Sequence, residues 1–214
     1  MNPAIRHSGL PYAMEGTMER LANADGLVVS QKKEWGEILT GFETRNRYRI
    51  LDTQGQELFL AAEEGGNLLL RWFLKSLRPF TVQVRGMDNV SLLQVKRPFR
   101  FFFHEAVVSD AAGRMLGTIR RRFALLRRIY KVTDSHGREI CELFGPILRP
   151  WTFEMRQGGV AQGKICKKWS GLLKEGFTDA DNFGVTFQPG WSDEHKALLL
   201  GAVFLIDFVH FEKR

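Results

Sequence analysis

The sequence predicts a mainly β protein, a closed antiparallel barrel of about twelve strands around a buried C-terminal α-helix. Three observations carry that prediction. A turn built on Asp and Gly recurs along the chain, short strand-like runs flank each copy, and the tail contains an apolar run with no polar face. The turns are Asp52-Thr53-Gln54-Gly55, Asp110-Ala111-Ala112-Gly113 and Asp134-Ser135-His136-Gly137, with Gly86-Met87-Asp88-Asn89 and Gln157-Gly158-Gly159 as relatives. Asp accepts backbone N–H groups at the start of such a turn, and Gly supplies the positive φ that closes it. Each therefore reads as a hairpin tip.

Five hairpins give ten strands, at about 47–51 with 57–61, 80–84 with 91–95, 105–109 with 115–120, 129–133 with 139–143, and 151–155 with 160–166. Leu27–Gln31 and Phe183–Phe187 add two more. Regular spacing of antiparallel strands points to a sandwich or a closed barrel. The chain divides into an extended or disordered arm over 1–16 and one domain over 17–214.

The tail HKALLLGAVFLIDFVHFEKR is apolar from Ala197 to Ile206 and is interrupted by Asp207. Ser192 can cap a helix there, and Asp193 and Glu194 suit its first turn. A helix over 193–211 is expected. Its unbroken apolar stretch is shorter than the ~20 residues of a membrane span, and a helix apolar on all sides must be buried. Twelve strands enclose more space than wall side chains alone fill, so the helix is expected inside. A single membrane span through 196–211 is the alternative.

Net charge is +7 with 31 Lys and Arg against 24 Asp and Glu, which favours anionic partners. Two cysteines, Cys141 and Cys166, are too few for a disulfide framework and suit a cytoplasmic protein. The first residues lack a secretory pattern. No H-E-x-x-H, phosphate-binding Gly-Lys loop or nucleophile elbow occurs, so catalysis is not expected. Asp207 and His210 share a helical face, and a buried Asp207 needs a polar partner on the barrel wall.

The stretches LTGFETRNRYRI (39–50), RPFTVQV (78–84), KRP (96–98), GKICKKWSG (163–171) and FTDADNFGVTFQPGWSDEHKALLLGAVFLIDFVHFE (177–212) resemble the phospholipid scramblase family. The resemblance covers about residues 17–212. It implies a fold like the C-terminal domain of tubby, a twelve-stranded barrel around a hydrophobic helix. It also implies calcium-stimulated movement of phospholipid between leaflets, or peripheral phospholipid binding alone, at the inner face of the plasma membrane. The proline-rich arm and acylated cysteine clusters of animal members are missing; GGNLLLRWFLKSL (65–77) and FRFFFHE (99–105) stand where the clusters would be.

Hairpins in series place the five tips at one end of the barrel and the five connections at the other. In the connections Lys and Arg exceed Glu by three, two, five, one and two in turn, thirteen in all. The candidate lipid- or anion-binding residues lie there. The first connection supplies Arg71, Trp72 and Lys75, and the second Lys96, Arg97, Arg100, Phe101 and Phe102. Arg120, Arg121, Arg122, Arg127 and Arg128 come from the third, and Lys167, Lys168 and Trp169 from the last. Cations attract an anionic bilayer and aromatics enter its interface, so bulky loops here would replace acyl anchors. Alternatively these loops merely cap the barrel.

The family's calcium-linked segment corresponds to residues 179–190. Asp179, Asp181 and Gly184 fit positions 1, 3 and 6 of an EF-type loop, but Phe183 and Gly190 stand where positions 5 and 12 need oxygen ligands. A polar turn entering the last strand is favoured over weak Ca2+ binding at Asp179 and Asp181, and no other cofactor is expected. GKICKKWSG could also contact nucleic acid through Lys164, Lys167, Lys168 and Trp169, although a basic strand end explains it. The second functional reading is a tubby-like module that binds phosphoinositide-like headgroups or nucleic acid and moves no lipid. Oligomeric state stays open.

Overall fold

The computed structural model describes residues 12–32, 46–64, 77–99, 103–167 and 182–211. Twelve antiparallel strands close into one barrel in which each strand pairs with its sequence neighbours and β1 closes on β12. They are β1 Gly26–Lys32, β2 Arg47–Leu51, β3 Glu57–Glu63, β4 Phe80–Gly86, β5 Ser91–Arg97, β6 Glu105–Asp110, β7 Met115–Arg122, β8 Arg127–Asp134, β9 Glu139–Pro146, β10 Thr152–Gln157, β11 Val160–Lys167 and β12 Asn182–Thr186. The expected strands are all present, several of them one to three residues longer.

The hairpin tips form as their chemistry dictates. Asp52 Oδ1 accepts from the Gln54 and Gln56 N–H groups at 2.9 and 2.8 Å, and Asp110 and Asp134 repeat the pattern. Gly55, Gly113 and Gly137 follow with φ of 89, 81 and 79°. Each of the five hairpins carries one register shift near its tip, the geometry of a turn followed by a glycine bulge.

Helix α1 spans Tyr12–Asn23, so it begins inside the segment expected as an arm; residues 1–11 lie outside the described residues. It lies across the tip end, with Leu21 and Met18 buried. Helix α2 spans Asp193–Ile206 and enters the barrel from the same end. Ser192 Oγ accepts from the His195 N–H at 3.2 Å, one of the donors a helix start leaves open. Lys196, buried beside this start, donates to the carbonyls of Ala22 and Ala24 and so satisfies the end of α1.

Every residue of α2 from Lys196 to Ile206 is buried. The wall meets it with Val84, Val95, Val108, Ile119, Val132, Leu143 and Met155, all fully buried. Two glycines permit the close fit. A Cβ on Gly201 would stand 2.6 Å from Val108 Cγ2, and one on Gly117 only 2.0 Å from the Thr133 carbonyl oxygen. The single-span alternative for 196–211 is thus corrected: the segment fills the barrel. No helix among the described residues is long and apolar enough to cross a membrane.

The expected helix to residue 211 is present, with a change of type near its end. The α-helix ends at Ile206 and the chain continues as a π turn, Asp207–Phe211. The wider turn lets two polar side chains of the tail reach opposite walls, as the next section describes.

Candidate functional site

Strands β1 to β12 alternate in direction, so α2 starts at the tip end and the π turn arrives at the opposite mouth, where the connections lie. Asp207 accepts from the Tyr48 hydroxyl at 2.9 Å and pairs with Lys167 Nζ at 3.7 Å. This is the buried partnership that the sequence required. Three residues on, His210 Nε2 stands 2.8 Å from the Tyr130 hydroxyl, and burial raises that phenol's pKa well above its usual value. Phe208 stacks on Phe80 at 4.1 Å, and Phe211 on Trp151 at 5.3 Å.

Inward-facing groups divide this mouth into two halves. On the β2–β4 side Glu63 is buried between Arg78, which pairs with both carboxylate oxygens, and Asn46, whose Nδ2 donates at 2.7 Å. Together with Asp207 and Lys167 this half holds matched charges. On the β5–β8 side the inward positions are Arg97, His104, Arg121 and Arg128. Arg97 is buried and contacts His104 Nδ1, and the Arg121 N–H donates to the His104 carbonyl at 2.7 Å. Arg121 stands opposite Tyr130 in the β7–β8 register.

Burial first, then Arg97 and Arg121, lowers the His104 pKa to about 4. Burial followed by Arg128, Arg121 and His104 lowers that of His210 to about 3. Both imidazoles are therefore neutral near pH 7. The Arg128 guanidinium donates to the carbonyls of Pro150, Arg149 and Pro146 at 2.6, 3.1 and 3.3 Å and lies 4.5 Å over the Phe153 ring. It holds the β9–β10 connection against the mouth.

Outside this lining stands an apolar fringe. Eleven large apolar side chains are exposed among the described residues. Eight lie on three successive connections around the mouth: Phe99 and Phe103, then Phe123, Leu125 and Leu126, then Ile147, Leu148 and Trp151. Leu148, Leu125 and Phe123 expose 94, 86 and 78% of their surface. Exposed apolar side chains scattered singly are ordinary, but a contiguous set marks a contact surface. Phe103 holds a left-handed backbone, φ 52°, a conformation that costs a non-glycine residue roughly 1–3 kcal/mol. At the opposite end a hollow is lined by Arg20, Asn23, Asp25, Asp52 and Glu57 together with Leu58 and Met87, and Met115 and Val160 are exposed at other tips.

The expected binding residues thus fall into separate places. Lys96, Arg120, Arg122 and Arg127 are exposed on the outer face of the mouth. Arg120 pairs with Glu105 at 2.6 Å, Arg122 lies 3.9 Å from Glu142, and Arg127 covers the Phe144 ring at 5.5 Å. Arg121 and Arg128 are half-buried in the inner lining, and Arg97 and Lys167 are buried there. Arg71, Trp72, Lys75, Arg100, Phe101, Phe102, Lys168 and Trp169 lie outside the described residues, as do the calcium candidates Asp179 and Asp181. Among the described residues no group of three His, Cys, Asp or Glu side chains could hold a metal ion. Sequence grouping missed His104 and Tyr130 and placed His210 only on a face shared with Asp207; the signal was available, since His104 and Tyr130 continue the inward alternation of β6 and β8.

A closed barrel of twelve strands around a C-terminal hydrophobic helix defines the class: a tubby-like barrel. The family model described as Scramblase matches residues 7–213, and this chain belongs to the scramblase family. It is similar to phospholipid scramblase 1 of Mus musculus, 32% identical over 212 residues, which cover 92% of this chain and 64% of the relative. It is also similar to phospholipid scramblase 2 of Bos taurus, 31% identical over 209 residues (91% and 71%), and to phospholipid scramblase family member 5 of Homo sapiens, 27% over 209 (91% and 77%). The chain thus spans just under two thirds of the length of the mouse relative. No solved structure matches it.

Proposed function

We propose that this protein binds anionic phospholipid membranes peripherally, at the cytoplasmic face, through the mouth of its barrel, and from there moves phospholipid between leaflets. The observation that carries the reading is the eight exposed apolar side chains on three adjoining connections, interleaved with Arg120, Arg122, Arg127 and Arg149. Each Phe or Leu that enters the interface contributes up to roughly 1.5–3 kcal/mol, and each nearby cation about 1 kcal/mol. Two or three such insertions give useful affinity without an acyl chain. Because α2 is committed to the barrel interior, lipid would cross where inserted loops disturb the bilayer.

Co-sedimentation with vesicles of phosphatidylcholine and phosphatidylserine tests the binding. The Phe123→Ser/Leu125→Ser/Leu126→Ser variant should fold normally, since all three side chains are exposed, and should lose at least tenfold in binding. Equal recovery of this variant and the parent protein in the pellet removes the docking surface. Leaflet exchange of a quenched fluorescent lipid, measured with and without Ca2+, tests the movement. Exchange no faster than in empty vesicles removes it.

A further inference from the structure

The inner half of the mouth between β5 and β8 gathers Arg97 of β5, His104 just before β6, Arg121 of β7 and Arg128 of β8, with His210 of the π turn near them. Among the described residues no carboxylate shares this sector. The inward acids, Glu63 and Asp207, are engaged on the far side by Arg78 and Lys167, and Glu105 turns outward to Arg120. Arg121 is half-buried, and among the described residues its guanidinium has no ion-pair or side-chain hydrogen-bond partner.

A half-buried guanidinium such as that of Arg121, with Arg128 on the neighbouring strand, is unfavourable unless an anion completes it. The planar fork of a guanidinium matches phosphate oxygens with two parallel hydrogen bonds. The Tyr130, Phe153 and Trp151 rings beside the cluster lower the local dielectric, which strengthens attraction for an entering anion. We propose that this sector is a phosphate site, with Arg121 as its principal donor, that takes the dianionic phosphomonoester of a lipid headgroup or of a soluble ester. Arg97 and Arg128 supply charge from behind while holding His104 and the β9–β10 connection. An entering anion opposes the arginines' share in lowering both histidine pKa values, so the two imidazoles report its binding. The apolar fringe outside the site suits the glycerol and acyl parts of a lipid. The lipid form of this inference rests on the membrane docking proposed above, whereas the phosphate site itself does not.

The full chain is titrated with inorganic phosphate and with glycerol 3-phosphate while the imidazole resonances of His104 and His210 are followed by NMR. Both pKa values should rise, and Arg121→Gln should weaken the response at least tenfold, whereas Arg138→Gln, the same charge removed at the tip end, should leave it unchanged. Without phosphate, Arg121→Gln should melt no lower than the parent, because it relieves repulsion. Vesicles containing phosphatidic acid, a monoester, should sediment the protein better than vesicles with equal charge as phosphatidylglycerol, a diester. A response to soluble ester with no such preference assigns the site to soluble phosphomonoesters. The Phe123/Leu125/Leu126 variant separates the two proposals: retained phosphate response with lost sedimentation keeps the site and localises docking to the fringe. No imidazole response to either probe, or equal weakening by Arg121→Gln and Arg138→Gln, overturns the phosphate site.

Discussion

Replacing Asp207 by Asn keeps the shape of the side chain and an oxygen for the Tyr48 hydroxyl, but it takes the Asp207 charge away from the Lys167 ammonium. Asp207 and Lys167 are 3 and 6% exposed, so water cannot make up the difference. Breaking a buried pair from one side costs about 3–5 kcal/mol. The Phe211 ring, 4.6 Å from Lys167 Nζ, and the Phe183 ring at 5.2 Å offset part of that, since a desolvated cation–π contact contributes about 2 kcal/mol. A net loss of roughly 1–3 kcal/mol follows. For a chain of this size each kcal/mol lowers the midpoint by about 2–4 °C, so the expected fall is roughly 2–12 °C. The assay is a double-mutant cycle by urea unfolding with Asp207→Asn, Lys167→Met and the pair. The pair should recover most of the loss, because no isolated charge is left inside. If the two single losses simply add to within about 0.5 kcal/mol, the buried ion pair is not what fastens the tail to the wall.

Two further outcomes can be measured on the same protein. His104 and His210 have folded pKa values lowered from 6.5 to about 4 and about 3, so below pH 6.5 the unfolded chain binds more protons than the folded one. The stability they contribute is fully present above pH 6.5 and declines as pH falls through about 4 and 3; the urea midpoint should follow that course, and His104→Asn/His210→Asn should flatten it. A Gly117→Ala substitution drives a Cβ to 2.0 Å from the Thr133 carbonyl, and the β7–β8 ladder must open to receive it. It should lower stability by roughly 1–3 kcal/mol and speed hydrogen exchange along β7 and β8, while Leu148→Ser at the exposed rim leaves both unchanged.

The barrel was legible because its turns announce themselves: Asp at the first position and Gly at the fourth encode a tip without help from the rest of the chain. The central helix was legible because ten consecutive apolar residues leave it no solvent face. Its ending was not. Nothing between Asp207 and Phe211 specifies a π turn; what specifies it is the distance from the tail to Tyr48 and Lys167 on one wall and to Tyr130 on the other. Helix α1 escaped notice because its apolar residues are few, although Met18 and Leu21 share a helical face. At the mouth, the sequence identified basic connections but pooled their arginines. Period-two alternation separates them: Ile119 faces the core, so Arg121 follows it inward while Arg120 and Arg122 face out. Which inward cations acquire carboxylate partners depends on elements distant in sequence, β3 for Arg78 and the π turn for Lys167, and is visible only in three dimensions.

The threaded helix also dictates an order of events during synthesis. The wall cannot close correctly around an occupant that has not been made, and α2 follows all twelve strands along the chain. Its contacts reach far back along the chain, with Tyr48 meeting Asp207 across 159 positions and Ala22 meeting Lys196 across 174. Loop closures of that span are slow to form and expose unpaired strand edges while they wait. Until residue 211 is free, the earlier strands form an open sheet whose inner face is as apolar as the finished core. The chain that has made its strands but not yet α2 is therefore the species most in need of a chaperone.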